Sequence, residues 1–214
     1  MKKTLNIKVI IILGILFAWE IVFAVTPIGT IPIGPLSITL QTIPVAIAAA
    51  VLGPVGGAII GGGFGLLSYL QCIGFGIPSG MGVALNQIAP GLCFIQRFIP
   101  RLLVGLLAGV IFDFTKKKSN HYVACAVTGF CTALMNTVFF MSSLILLFGN
   151  SDYVKNLRAE KAPGANVLVF ICVFVGINAV AEMIATPLVT SAVGTALYKA
   201  RLISPRNNAS AAKA

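Results

Sequence analysis

Charge is scarce in this chain of 214 residues: 9% are Asp, Glu, Lys or Arg and 58% are hydrophobic, where soluble domains are roughly 25% charged. That leaves too little polar surface to cover a soluble fold. Acidic residues number five and histidine occurs once, so no metal-ligand cluster is assembled. The cysteines, Cys72, Cys93, Cys125, Cys131 and Cys172, form no CxxC pair and all fall in apolar stretches, where they read as small buried hydrophobes. No G-x-x-x-x-G-K-[ST] loop is present, so the chain does not hydrolyse ATP by that route. Neither HExxH, GxSxG nor a Cys–His arrangement occurs, and no inverted repeat of broken helices suggests a self-powered carrier. The formal net charge of +10 does not indicate nucleic-acid binding. Its basic residues sit at the ends of apolar runs, not on polar segments with interleaved aromatics.

What is present is a set of long apolar runs, near the roughly 20 residues that cross a bilayer as helix. They predict an all-α fold, an integral membrane bundle of six transmembrane helices over 9–25, 38–52, 55–75, 89–112, 122–148 and 166–198. The last is long enough to tilt, protrude or kink at Pro187. Residues 1–203 form a single membrane domain on this reading, and 204–214 a short polar tail. Lys2, Lys3, Lys8, Lys116, Lys117, Lys118, Lys199, Arg201, Arg206 and Lys213 fall on one face; Lys155, Arg158 and Lys161 fall on the other. Ten against three puts both termini in the cytoplasm. The first 25 residues also carry signal-peptide features, a lysine pair, an apolar core and small residues near Ala24. Cleavage there would leave the other spans oriented as before, and Glu20 just ahead of the cleavage point argues for a retained helix.

Two outer loops, 26–35 and 77–87, are rich in glycine and proline yet apolar. They suit either flaps folded over a site or loops resting on the membrane interface. The third, 149–164, is polar.

The spans contain a few costly groups. Arg97 and Arg101 lie four residues apart on one helix face, as do Asn178 and Glu182; Asn136 lies mid-span between them in sequence. An arginine at hydrocarbon depth faces protein or a water-filled cavity, and an anion is its simplest partner. Arg97, nearer the end of its span, is also able to snorkel. Together the set describes either one polar pocket or a structural Arg–Glu pair with amide hydrogen bonds between helices. Glu20 is compatible with the outer interface or with a partner contact. Small residues form stripes at Gly14 and Ala18, and at Gly57, Gly61 and Gly65. Such stripes allow close helix packing inside the bundle or against another membrane subunit.

Several segments resemble the substrate-binding S components of energy-coupling factor (ECF) vitamin transporters. IPIGPLSITLQTIP at 31–44, VLGP at 51–54 and the glycine-rich helix after it look like the family's first loop and second and third helices. PRLLVG at 100–105, Asn136-Thr137 and NAVAE at 178–182 look most like its pantothenate branch. The resemblance implies no enzyme activity and no cofactor in this chain. It implies a vitamin-capturing subunit that joins a transmembrane T component and two ABC-type ATPase subunits, which use ATP. It also implies a vitamin site built from the later helices and capped by outer loops. Arg101 would meet a carboxylate, Asn136, Asn178, Glu182 and Arg97 would bind polar groups, and Gln41 and Asn86 would approach from the outer loops. Docking would use the first helix, where Gly14 and Ala18 stand in place of the family's Ala-x-x-x-Ala. SITLQT at 37–42 also looks like the biotin branch, so biotin stays open, as do riboflavin and a non-transport membrane scaffold.

Overall fold

The computed structural model describes residues 7–27, 29–33, 36–161, 164 and 166–199. Lys2, Lys3, Arg201 and the expected tail 204–214 lie outside them. Helix α1 (Ile7–Val25) buries only Leu16, Glu20, Phe23 and Ala24. Ile7, Ile11, Ile15, Val22 and Val25 point outward. A helix with so large an apolar exterior belongs in lipid. Among the described residues five helices are long and apolar enough to cross a membrane: α1, α2 (Thr42–Cys72), α4 (Pro90–Lys118), α5 (His121–Phe148) and residues 178–199 of α7 (Val167–Lys199).

Helix α2 is two arms. Gly53 adopts φ 79° and ψ −164°, a conformation open to glycine and not to L side chains, and Pro54 follows with no backbone N–H to donate. The chain turns back there. A Cβ on Gly57 would lie 3.1 Å from that of Ala49, whereas eight residues of straight helix cover about 12 Å. Every residue from Thr42 to Val51 is buried. That first arm, 42–52, is about 16 Å long, half a bilayer core. This corrects the expected span 38–52: its beginning belongs to a strand, and its helical part is a short interior arm.

The second arm, 54–72, is pressed against α4. A Cβ on Gly57 would run into the carbonyl oxygen of Gly105, and one on Gly61 into that of Arg101. On Gly65 it would come within 2.8 Å of the Cα of Phe98. The glycine ladder is therefore an internal seam, and it fixes the height of α4 relative to α2.

The apolar loops hold regular structure that the sequence did not suggest. Strands β1 (Thr30–Ile33) and β2 (Leu36–Thr39) pair antiparallel, Thr30 opposite Thr39 and Ile33 opposite Leu36. Helix α3 (Gly80–Ile88) begins at Ser79, whose Oγ accepts from the N–H of Gly82 at 3.3 Å. The polar loop holds α6 (Asp152–Lys161). Val154 and Leu157, one turn apart, bury themselves with Met81 and Leu85 of α3 and with Met141, Leu144 and Phe148 of α5. This cluster closes one end of the bundle. At the other end the ring of His121 stacks on Tyr198 with centroids 4.3 Å apart, and Lys116 Nζ lies 5.6 Å from the ring of Phe112.

Candidate functional site

Under the cap formed by α3 lies a cavity of about 690 Å³, its open mouth included. Six parts of the chain build its wall. Helix α4 contributes Arg97 and Arg101, α5 contributes Asn136, Thr137, Phe140 and Met141, and α7 contributes Asn178, Ala179 and Glu182. The second arm of α2 adds Phe64, Ser68 and Gln71; Thr39, Gln41, Ser79 and Met81 come from the connecting segments and α3.

Both guanidinia are buried, Arg97 at 4% and Arg101 at 5% exposure. Nη1 of Arg101 donates to the Arg97 carbonyl at 2.9 Å, and its guanidinium carbon lies 4.5 Å from the centroid of Phe64 and 5.1 Å from that of Phe140. Arg97 lies 5.0 Å from the same Phe140 ring, and its Nη2 donates to Ser79 Oγ at 3.3 Å. The aromatic faces hold the two cations and supply cation–π attraction, without neutralising them.

The glutamate is engaged elsewhere. Oε1 of Glu182 accepts the backbone N–H of Thr39 at 3.1 Å, and Oε2 accepts Nδ2 of Asn136 at 3.4 Å. No carboxylate among the described residues accepts a hydrogen bond from Arg97 or Arg101, so the structural Arg–Glu pair considered from sequence is not formed. In the wall, two guanidinia face one carboxylate. Glu20, behind Gln41, also lies within electrostatic reach of Arg101, but no described carboxylate is hydrogen-bonded to either guanidinium, and the Nε atoms of both arginines have no acceptor. Asn178 lines the cavity with its amide unengaged among the described residues.

Six of the seven residues singled out for ligand contact therefore meet around one cavity: Arg97, Arg101, Asn136, Asn178, Glu182 and Gln41. Asn86 does not. It lies on α3 five residues after Met81, about 140° round the helix, so Met81 faces the cavity while Asn86 turns away. Its Oδ1 is buried without a partner. Glu20 is wholly buried with its carboxylate beside the Gln41 side chain, which places it in the interior and not at the outer interface. Neither of its oxygens has a hydrogen bond.

Phe64, Phe140, Met81, Met141 and Ser79 were missed as site residues. For Phe140 a signal existed, since it follows Asn136 by four residues and shares its face. Gly14 and Ala18 on α1 are exposed, and nothing lies within 4 Å of a Cβ built on Gly14.

These features define a class: a multi-pass membrane protein whose helices surround a cavity lined by buried arginine, glutamate and amide side chains. The chain belongs to the family described as the substrate-specific component of ECF transporters, whose profile matches residues 8–193. It is 31% identical over 191 residues to the pantothenate transporter PanT of Leuconostoc mesenteroides subsp. mesenteroides, covering 88% of this chain and 86% of that protein. To the pantothenic acid transporter PanT of Lactococcus lactis subsp. cremoris it is 28% identical over 174 residues, 78% of this chain and 81% of that one.

Proposed function

We propose that this chain is the pantothenate-capturing subunit of an ATP-driven ECF uptake transporter in the cell membrane. The observation that carries this reading is the pair of buried guanidinia with no protein carboxylate on them. Pantothenate brings one carboxylate, an amide and two hydroxyls. Its carboxylate would meet Arg101, with Arg97 adding positive charge from the side of the α3 cap; a fork of N–H donors matches a carboxylate bidentately. Asn178 would serve the hydroxyls or the amide, with Asn136 and Glu182, already joined to each other, completing the polar wall. Gln41 would hold the end of the ligand nearest β2. Relatives named for pantothenate transport support the same assignment. Riboflavin has no carboxylate and would leave both guanidinia without an anion hydrogen-bonded to them.

In this proposal the chain crosses the membrane six times with both termini in the cytoplasm, strand β2 and the short first arm of α2 together making one pass and the second arm another. The cavity then opens outward. The domain is 1–203 and the tail 204–214. A T component and two ABC-type ATPases supply the power stroke, and this chain needs no cofactor of its own. The test is calorimetric titration of the purified protein with pantothenate, biotin and riboflavin. Saturable binding of pantothenate with far weaker binding of the other two is expected. Tight binding of biotin or riboflavin alone would overturn the ligand assignment, and binding of none would favour a scaffold.

The outward stripe at Gly14 and Ala18 suits close approach of a partner helix. Gly14→Leu with Ala18→Leu should leave vitamin binding intact and abolish co-purification with the T component and ATPases. Retained assembly would move the docking surface elsewhere.

A further inference from the structure

Cys72 closes α2 and Cys93 lies in the first turn of α4. In the chain, α3 lies between them. The two thiols are thus the feet of the segment that carries the cavity's cap. Both are buried, at 2% and 0% exposure, in the same apolar cluster. Cys72 Sγ donates to the Ser68 carbonyl at 3.2 Å, Cys93 Sγ donates to the Gly82 carbonyl at 3.8 Å, and both sulfurs lie against Gly82. Gly82 of α3 rests on them: a Cβ there would come 2.5 Å from Cys72 Sγ and 2.8 Å from Arg97 Nη2. Sulfur pair, cap helix and cavity arginine form one packed unit.

We propose that Cys72 and Cys93 form a reversible dithiol–disulfide pair that governs movement of α3 and hence exchange of the cavity's ligand. Oxidation joins the two sulfurs, releasing two protons and two electrons to an external two-electron oxidant. With diamide, both electrons and both protons go to its N=N bond, which becomes a hydrazine. The sulfurs close to about 2.05 Å and give up their hydrogen bonds to Ser68 and Gly82. The bond staples α2 to α4 at both ends of the α3 segment, and closing such a loop removes conformational freedom from it. In the proposed topology this end faces outward, where an oxidant arrives first. The ligand is taken from the reading above; the cross-link itself is not.

Purified protein would be treated with diamide, then alkylated, digested and read by mass spectrometry. A Cys72–Cys93 cross-linked peptide is expected, lost in Cys93→Ser and reversed by dithiothreitol. Dissociation of labelled pantothenate should slow about tenfold or more on oxidation, as tightening of a closed site appears chiefly in the off-rate, and Cys93→Ser should not respond. Hydrogen exchange over 80–88 reads the same staple without ligand, slowing in the oxidised protein. Absence of the cross-link would overturn the proposal, and so would a cross-link that leaves hydrogen exchange of α3 unchanged. If pantothenate does not bind while the cross-link and slowed hydrogen exchange appear, the dithiol assignment stands and the ligand assignment falls.

Discussion

Arg101→Ala should weaken pantothenate binding by roughly 2 to 5 kcal/mol, the usual loss when one partner of a buried, hydrogen-bonded charge pair is removed. Stability of the ligand-free protein should not fall with it. The guanidinium is buried between Phe64 and Phe140 and hydrogen-bonds only the Arg97 carbonyl. Its desolvation is therefore not offset by a carboxylate in contact. A structural ion pair would behave in the opposite way, since breaking one destabilises a fold by about 3–5 kcal/mol. Calorimetry and thermal unfolding of the same preparation separate the two roles. Arg101→Lys keeps the charge but loses the planar fork, so it should recover part of the affinity and not all. Unchanged affinity in the alanine variant would return Arg101 to a packing role.

Much of this site was legible because it is written in helical spacing. Arg97 with Arg101, and Asn178 with Glu182, share faces by being four residues apart, and in an apolar span such groups have nowhere to go but inward. Helix positions followed from run length: α5 and α7 begin and end within about one residue of expectation. What failed were elements whose existence depends on tertiary contact. Residues 152–161 bury only Val154 and Leu157 fully, with Tyr153 packed beside them, a pattern too thin to announce a helix until α3 and α5 supply its buried side. The hairpin of β1 and β2 sits in a segment full of proline and glycine and is held at its end by Thr39 donating to Glu182, a partner 143 residues away. The first arm of α2 looked like a weak span because an apolar run of that length reads alike in lipid and in a protein interior. Glu20 was unassignable for a related reason, as α1 is apolar on every side and nothing in its sequence marks which face turns in.

The glycine seam should prove as decisive for the site as the arginine itself. A side chain on Gly61 strikes the carbonyl oxygen of Arg101, and one on Gly105 strikes that of Gly57. Both contacts are backbone against side chain, so relief requires the helices to part. Gly105→Val should cost about 1–3 kcal/mol or more, as overpacking of a tight interior does, lowering the melting temperature by several degrees at this chain length. Gly61→Ala should reduce stability and vitamin affinity together, because the displaced backbone is the one that carries Arg101. Gly62→Ala is the control one residue away: its Cβ would meet Leu102 and Phe98 at 3.7 Å, ordinary van der Waals contact, and both properties should be kept. Affinity loss in Gly61→Ala with unaltered melting would contradict the seam, and so would equal damage from Gly62→Ala. Set beside Arg101→Ala, which should lower affinity alone, the pair distinguishes a residue that touches the ligand from one that holds that residue in place.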